Sequence, residues 1–75
     1  MILYCIKNEL GEFLVSKGLS IFFGNFNLEE DSNDEGTCLQ CWGNSEEAET
    51  FAKEYCADVE WEAARLVVTN GKLVL

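Results

Sequence analysis

The sequence predicts an α+β fold: a small, twisted, mainly antiparallel sheet of order β-β-β-β-α-β-β, with one helix packed on one face. Three observations predict it. Residues 2–7 and 12–16 alternate with period two, residues 48–59 place apolar side chains at helical spacing, and apolar runs flank an Asn-Gly pair near the end. At 75 residues the chain is expected to form a single domain, residues 1–75. A domain this small buries only roughly 60–65% of the surface its unfolded chain exposes, which leaves a thin core and no room for a large enclosed active site.

The elements follow in order. Ile2, Tyr4 and Ile6 alternate with Leu3, Cys5 and Lys7, and Phe13 and Val15 alternate with Leu14 and Ser16. "NELG" between them puts Asn8 and Gly11 where a short loop tolerates positive φ, so the two runs read as a hairpin. "LSIFFGNF" has the aromatic and β-branched content of a third strand, with a bulge or kink expected at Gly24. After "LEEDSNDEG", "TCLQCW" reads as a fourth strand.

The helix follows, capped by Asn44 or Ser45, with Glu46 and Glu47 at the positive end of its dipole. Ala48, Phe51, Ala52, Tyr55, Cys56 and Val59 form its apolar face. Glu46, Glu49, Lys53 and Glu54 face away, with Glu49 and Lys53 spaced for an ion pair. "DVEWEAA" alternates like a strand, while Asp58 can also cap another helical turn, and strand is expected from about Ala63. "RLVVT" and "KLVL" around Asn70-Gly71 read as a closing hairpin, because both residues of that turn need φ > 0.

Composition narrows the function. Five basic and fourteen acidic residues, with no histidine, give a net charge of −9. This balance repels nucleic acid and anionic membranes and attracts basic surfaces. "MILYCI" ends at Lys7 without a basic leader or cleavage site, and no stretch reaches the ~18–20 apolar residues of a bilayer span. A cytosolic protein with reduced cysteines is expected.

Candidate chemistries can be weighed on the residues. Asp31, Asn33, Glu35 and Gly36 resemble the start of a calcium loop, but the twelfth position, where a bidentate glutamate belongs, is Trp42. Cys5, Cys38, Cys41 and Cys56 match the number of thiolates in a tetrahedral zinc site. Cys38 and Cys41, however, would point to opposite faces of a strand, so zinc stays an alternative and no metal or cofactor is expected. The C-x-x-C also lies several residues before the helix N-terminus that would activate a redox pair. Without histidine, and with carboxylates in polar runs, no catalytic group stands out, and the chain is read as a non-enzyme.

The charge pattern remains. Between Lys17 and Lys53 lie Glu29, Glu30, Asp31, Asp34, Glu35, Glu46, Glu47 and Glu49, with no base among them. Duplex DNA carries one charge per ~1.7 Å of axis, and proteins that bind it present matching rows of Lys and Arg. A rigid acidic face can occupy such a row in place of nucleic acid. Trp42 is a candidate anchor for that contact, and both Trp42 and Trp61 also suit the edge of the core.

The strand "ILYCIKNELGEFLV", a tryptophan ahead of "EEAETFA", and the closing "AARLVVTNGKLVL" together resemble small proteins encoded by bacteriophages and prophages. The resemblance implies an inhibitor of host defence of the anti-CRISPR type, which blocks a nuclease by mimicking nucleic acid. The expected partner is therefore a basic, nucleic-acid-binding host protein, with no direct binding of nucleic acid or membrane. A phage accessory or assembly subunit, pairing through a sheet edge as a homodimer, is the other alternative.

Overall fold

The computed structural model describes residues 1–28, 36–69 and 72–74, the side chains of 72 and 73 excepted. In chain order it holds β1 (Ile2–Asn8), β2 (Phe13–Lys17), β3 (Ser20–Gly24), β4 (Thr37–Leu39), α1 (Ser45–Tyr55), β5 (Trp61–Thr69) and β6 (Lys72–Val74). The strands join one sheet of order β3-β2-β1-β5-β6, with β4 also paired to β2. Every pairing is antiparallel. The α+β order read from the sequence is the one the structure has.

The β1–β2 turn works through a side chain. Asn8 Oδ1 accepts from the N–H of Leu10 at 3.1 Å and of Glu12 at 2.9 Å, while its Nδ2 donates to Glu12 Oε1 at 3.0 Å. Gly11 supplies the positive φ of 80° that the turn needs. Beyond the turn the two strands part, with Lys7 and Phe13 as their registered pair.

The segment 37–42 fills the fork that opens between them. Its first half pairs with β2 (Val15 with Leu39, Lys17 with Thr37), and Gln40 N–H donates to Leu14 O at 3.1 Å. Its end crosses to β1, where Trp42 bridges Tyr4. The fourth strand is thus a wedge that pairs with the inner edge of β2 and, at Tyr4, with that of β1.

Several expectations change in detail. Gly24 stays in register opposite Phe13 instead of forming a bulge. A Cβ there would lie 3.2 Å from Phe22 Cε2, so glycine serves the close approach of that ring. β5 begins at Trp61, two residues before the expected start at Ala63, because pairing with β1 continues to Asn8. At 56–59 Val59 N–H donates to Cys56 O at 3.2 Å, closing a turn in place of a second helix. The closing hairpin pairs Thr69 with Lys72; the Asn70-Gly71 turn predicted between them lies outside the described residues.

Two apolar clusters sandwich the sheet. On one face Ala48 and Ala52 of α1 and its C-cap Cys56 pack against Ile6 and Leu14, with Tyr4, Phe23, Trp42, Phe51 and Trp61 around them. On the other, Cys5, Phe13, Val15 and Leu66 are joined by Leu3, Phe26, Leu28, Leu39 and Cys41. The small stripe Ala48–Ala52–Cys56 brings α1 close to β1 and β5. Tyr55 and Val59, predicted on the apolar face, are instead exposed. The helix ends at Tyr55, so Val59 lies past it, and Tyr55 stands at the rim of the stripe, stacked on Phe51 at 4.5 Å between ring centroids.

Candidate partner-binding surface

The N-terminus of α1 is built by a cap. Asn44 has extended backbone (φ −144°, ψ 160°), and its Oδ1 accepts from Glu47 N–H at 2.8 Å. This satisfies one of the free donors of the first turn and fixes where Glu46 and Glu47 emerge. Both carboxylates are exposed. Each also favours the positive end of the helix dipole, so local stability and surface charge point the same way.

Trp42 is placed by the fork. Its backbone is held on Tyr4, and its half-buried ring packs against Phe51 with centroids 5.2 Å apart and planes tilted by 43°. Phe51 in turn stacks on Tyr55 with ring planes 7° from parallel. Three aromatic rings thus run along one flank of α1.

Beside them lies an open groove of about 590 Å³, with Trp42 and Phe51 as its aromatic lining and Asn44, Thr50 and three glutamates, Glu46, Glu47 and Glu54, completing it. Among the described residues no basic side chain lines it. Three carboxylates outweigh the roughly +0.5 charge of the helix N-terminus, so the groove is anionic over an aromatic floor.

The predicted site residues divide accordingly. Glu46, Glu47 and Trp42 are brought together. Glu49 is exposed but is not part of the groove lining, and it sits on the other flank of the buried stripe. Glu29, Glu30, Asp31, Asp34 and Glu35 lie outside the described residues. Glu54, Phe51 and Tyr55 were missed as site residues. Glu47, Phe51 and Glu54 stand four and three residues apart, which puts them on one helix face, a signal that was present in the spacing. The proximity of Trp42 to Phe51 has no counterpart in local sequence.

The sheet keeps the four cysteines from converging on one point. Cys56 sits in the cluster under α1, Cys5 and Cys41 in the cluster on the opposite face, and Cys38 is exposed. One ion cannot reach all four, and no group of three or more His, Cys, Asp or Glu side chains suited to a metal occurs among the described residues. Burial pushes the Cys5 thiol up to about 11, with the Cys41 thiolate adding to the shift, and it raises Cys41 and Cys56 as well. None of the three is an activated nucleophile.

No family model, curated protein or solved structure matches the chain.

The chemistry therefore rests on the surface itself. A second, smaller concavity of about 300 Å³ lies at the turn end of β1, lined by Lys7, Asn8, Glu9, Glu60, Trp61 and Glu62 among others. There Lys7 Nζ stands 3.6 Å from Glu62 Oε1, so its charge is partly matched locally. Among the described residues lining the α1 groove there is no such cation, and its three carboxylates present the larger unmatched charge. No helix among the described residues is long and apolar enough to cross a membrane.

Proposed function

We propose that this chain is a small non-enzymatic inhibitor of the phage type, which occupies a basic, nucleic-acid-binding groove on a host defence protein in the bacterial cytoplasm. The observation that carries the reading is the groove on α1, where Glu46, Glu47 and Glu54 surround the exposed edges of Trp42 and Phe51 with no base among them. Arginine is the natural complement of such a surface. Its guanidinium stacks on aromatic faces and bonds carboxylates through a planar fork, and its methylenes cover apolar floor. A groove that binds nucleic acid offers arginines in rows at phosphate spacing. The eight acids between Lys17 and Lys53 extend the same field along the chain.

Electrostatic steering makes such association fast and salt-sensitive. The chain is immobilised as bait for bacterial lysate at low and at high ionic strength, beside the double variant Glu46→Lys/Glu47→Lys. The expected result is capture of a nucleic-acid-binding protein at low salt that is lost at high salt, lost with the variant, and displaced by duplex DNA. Capture that ignores both salt and charge reversal would sink the proposal.

A second reading has its own observation. β3 ends the sheet order and carries no charged residue, Phe22 on it is exposed, and Leu19 beside it is fully so at 105%. An uncharged edge strand is a template for pairing. A subunit acting through this edge forms an antiparallel dimer with a second copy. Light scattering that shows the monomer mass at every concentration would rule this out.

A further inference from the structure

We propose that Cys5 and Cys41 form a cross-strand dithiol site that a small disulfide of the glutathione class converts to an internal disulfide, stapling the 37–42 segment into the fork between β1 and β2. The register carries the inference. Tyr4 N–H donates to Trp42 O and Trp42 N–H to Tyr4 O, both at 2.8 Å, which makes these two residues a hydrogen-bonded antiparallel pair. The bridge is a single pair, and carrying its register one step along sets Cys5 opposite Cys41 at a non-hydrogen-bonded position. Such pairs bring Cα atoms to about 4.5 Å with side chains on one face, within the roughly 4.4–6.8 Å that disulfides span.

Both side chains belong to the same cluster, with Phe13, Val15 and Leu66 around them. Burial raises the Cys5 thiol most, and the charge of a Cys41 thiolate raises it further. Cys41 is half-buried, which gives a reagent access, while Cys5 is fully enclosed and can act only on its neighbour. The C-x-x-C partner, Cys38, is exposed on the other side of the segment.

The exchange balances in two steps. The Cys41 thiolate attacks one sulfur of the small disulfide, forming a mixed disulfide and releasing one small thiolate, which takes up the proton Cys41 lost. Cys5, on losing its proton, then attacks the Cys41 sulfur, forming the Cys5–Cys41 bond and releasing the second small thiolate, which takes up that proton. Two protein thiols are oxidised and one small disulfide is reduced to two thiols. The new bond closes a loop containing β2, β3 and β4, so it removes freedom from the unfolded chain.

The test uses the 75-residue chain equilibrated with reduced and oxidised glutathione over a range of ratios, then alkylated and mapped by mass spectrometry. The expected product is a Cys5–Cys41 linked peptide, with Cys56 alkylated only after unfolding. The oxidised protein should melt about 10 °C or more above the reduced one. Cys41→Ser, a near-isosteric change at a half-buried position, should melt like the reduced chain and lose the oxidant-dependent shift. A dominant Cys38–Cys41 link, glutathione adducts alone, or four free thiols after equilibration each overturn the proposal.

Discussion

Trp42 is held on Tyr4 by two reciprocal backbone hydrogen bonds and on Phe51 by its ring, so one residue ties the fork of the sheet to the helix. Replacing Trp42 by alanine keeps the backbone bridge but removes the ring from both clients. A fully buried tryptophan costs 3–5 kcal/mol in this exchange, and a half-buried one about 2 kcal/mol. Urea denaturation should show that loss for Trp42→Ala and recover most of it for Trp42→Phe. A change below about 0.5 kcal/mol would mean the ring is not part of the packed structure.

Asn44→Ala leaves the donor at Glu47 unsatisfied and should cost about 1 kcal/mol, whereas Asn44→Asp or Asn44→Ser should cost far less. Denaturant midpoints of the three variants decide it. Equal midpoints for alanine and aspartate would remove the cap from the account of α1.

Leu66 is fully enclosed, at 0% exposure, under the side of the sheet away from the helix. Leu66→Ala should cost about 2–5 kcal/mol, a large part of the roughly 4–11 kcal/mol a domain of this length holds. Circular dichroism should show a substantially unfolded chain at 37 °C, while Leu19→Ser, at a fully exposed position, should leave the melting curve unchanged or improved. Similar curves for both would contradict the second cluster.

The buried thiols set an alkaline limit. The folded Cys5 thiol titrates at about 11 against an ordinary 9.0, so the folded state keeps its proton where the unfolded state has lost it. The folded chain then binds more protons, and stability falls with rising pH across that window and is level below it. Denaturation between pH 9 and 11 should give a slope for the wild type that is shallower in Cys5→Ala. Parallel slopes would show that Cys5 is not buried as described.

Charge should separate folding from binding. With a net charge of −9, self-repulsion weakens the folded state, and screening relieves it. Raising NaCl from about 0.01 M to about 0.5 M shortens the Debye length from about 30 Å to under about 5 Å and should raise the melting temperature by about 3 °C. The same change should weaken partner capture. If both fell together, loss of binding at high salt would reflect unfolding and not screened attraction.

The surface was legible in the sequence where it depended on a single element. Glu46 and Glu47 follow a capping Asn44, and their place in the first turn needs nothing beyond helix geometry. Trp42 was legible only as a choice between core edge and anchor, and the structure makes it both half-buried and part of the groove lining. Glu54, Phe51 and Tyr55 were set among helix positions without being joined to the site, since their grouping depends on where Trp42 comes to rest.

The strands, the helix and the faces their residues share were determined by the sequence itself, because periods of two and 3.6 are properties of the local chain. Ala48, Ala52 and Cys56 lie on one stripe, and Cys5 alternates with Ile6, in any fold that keeps those elements. Which elements meet was decided only by tertiary structure. That β1 and β2 part after one registered pair, that residues 37–42 enter the gap, and that Cys5 and Cys41 thereby share one cluster are all non-local. Pairing across long stretches of chain depends on filling two strand edges and two apolar faces at once, and no local window contains that information.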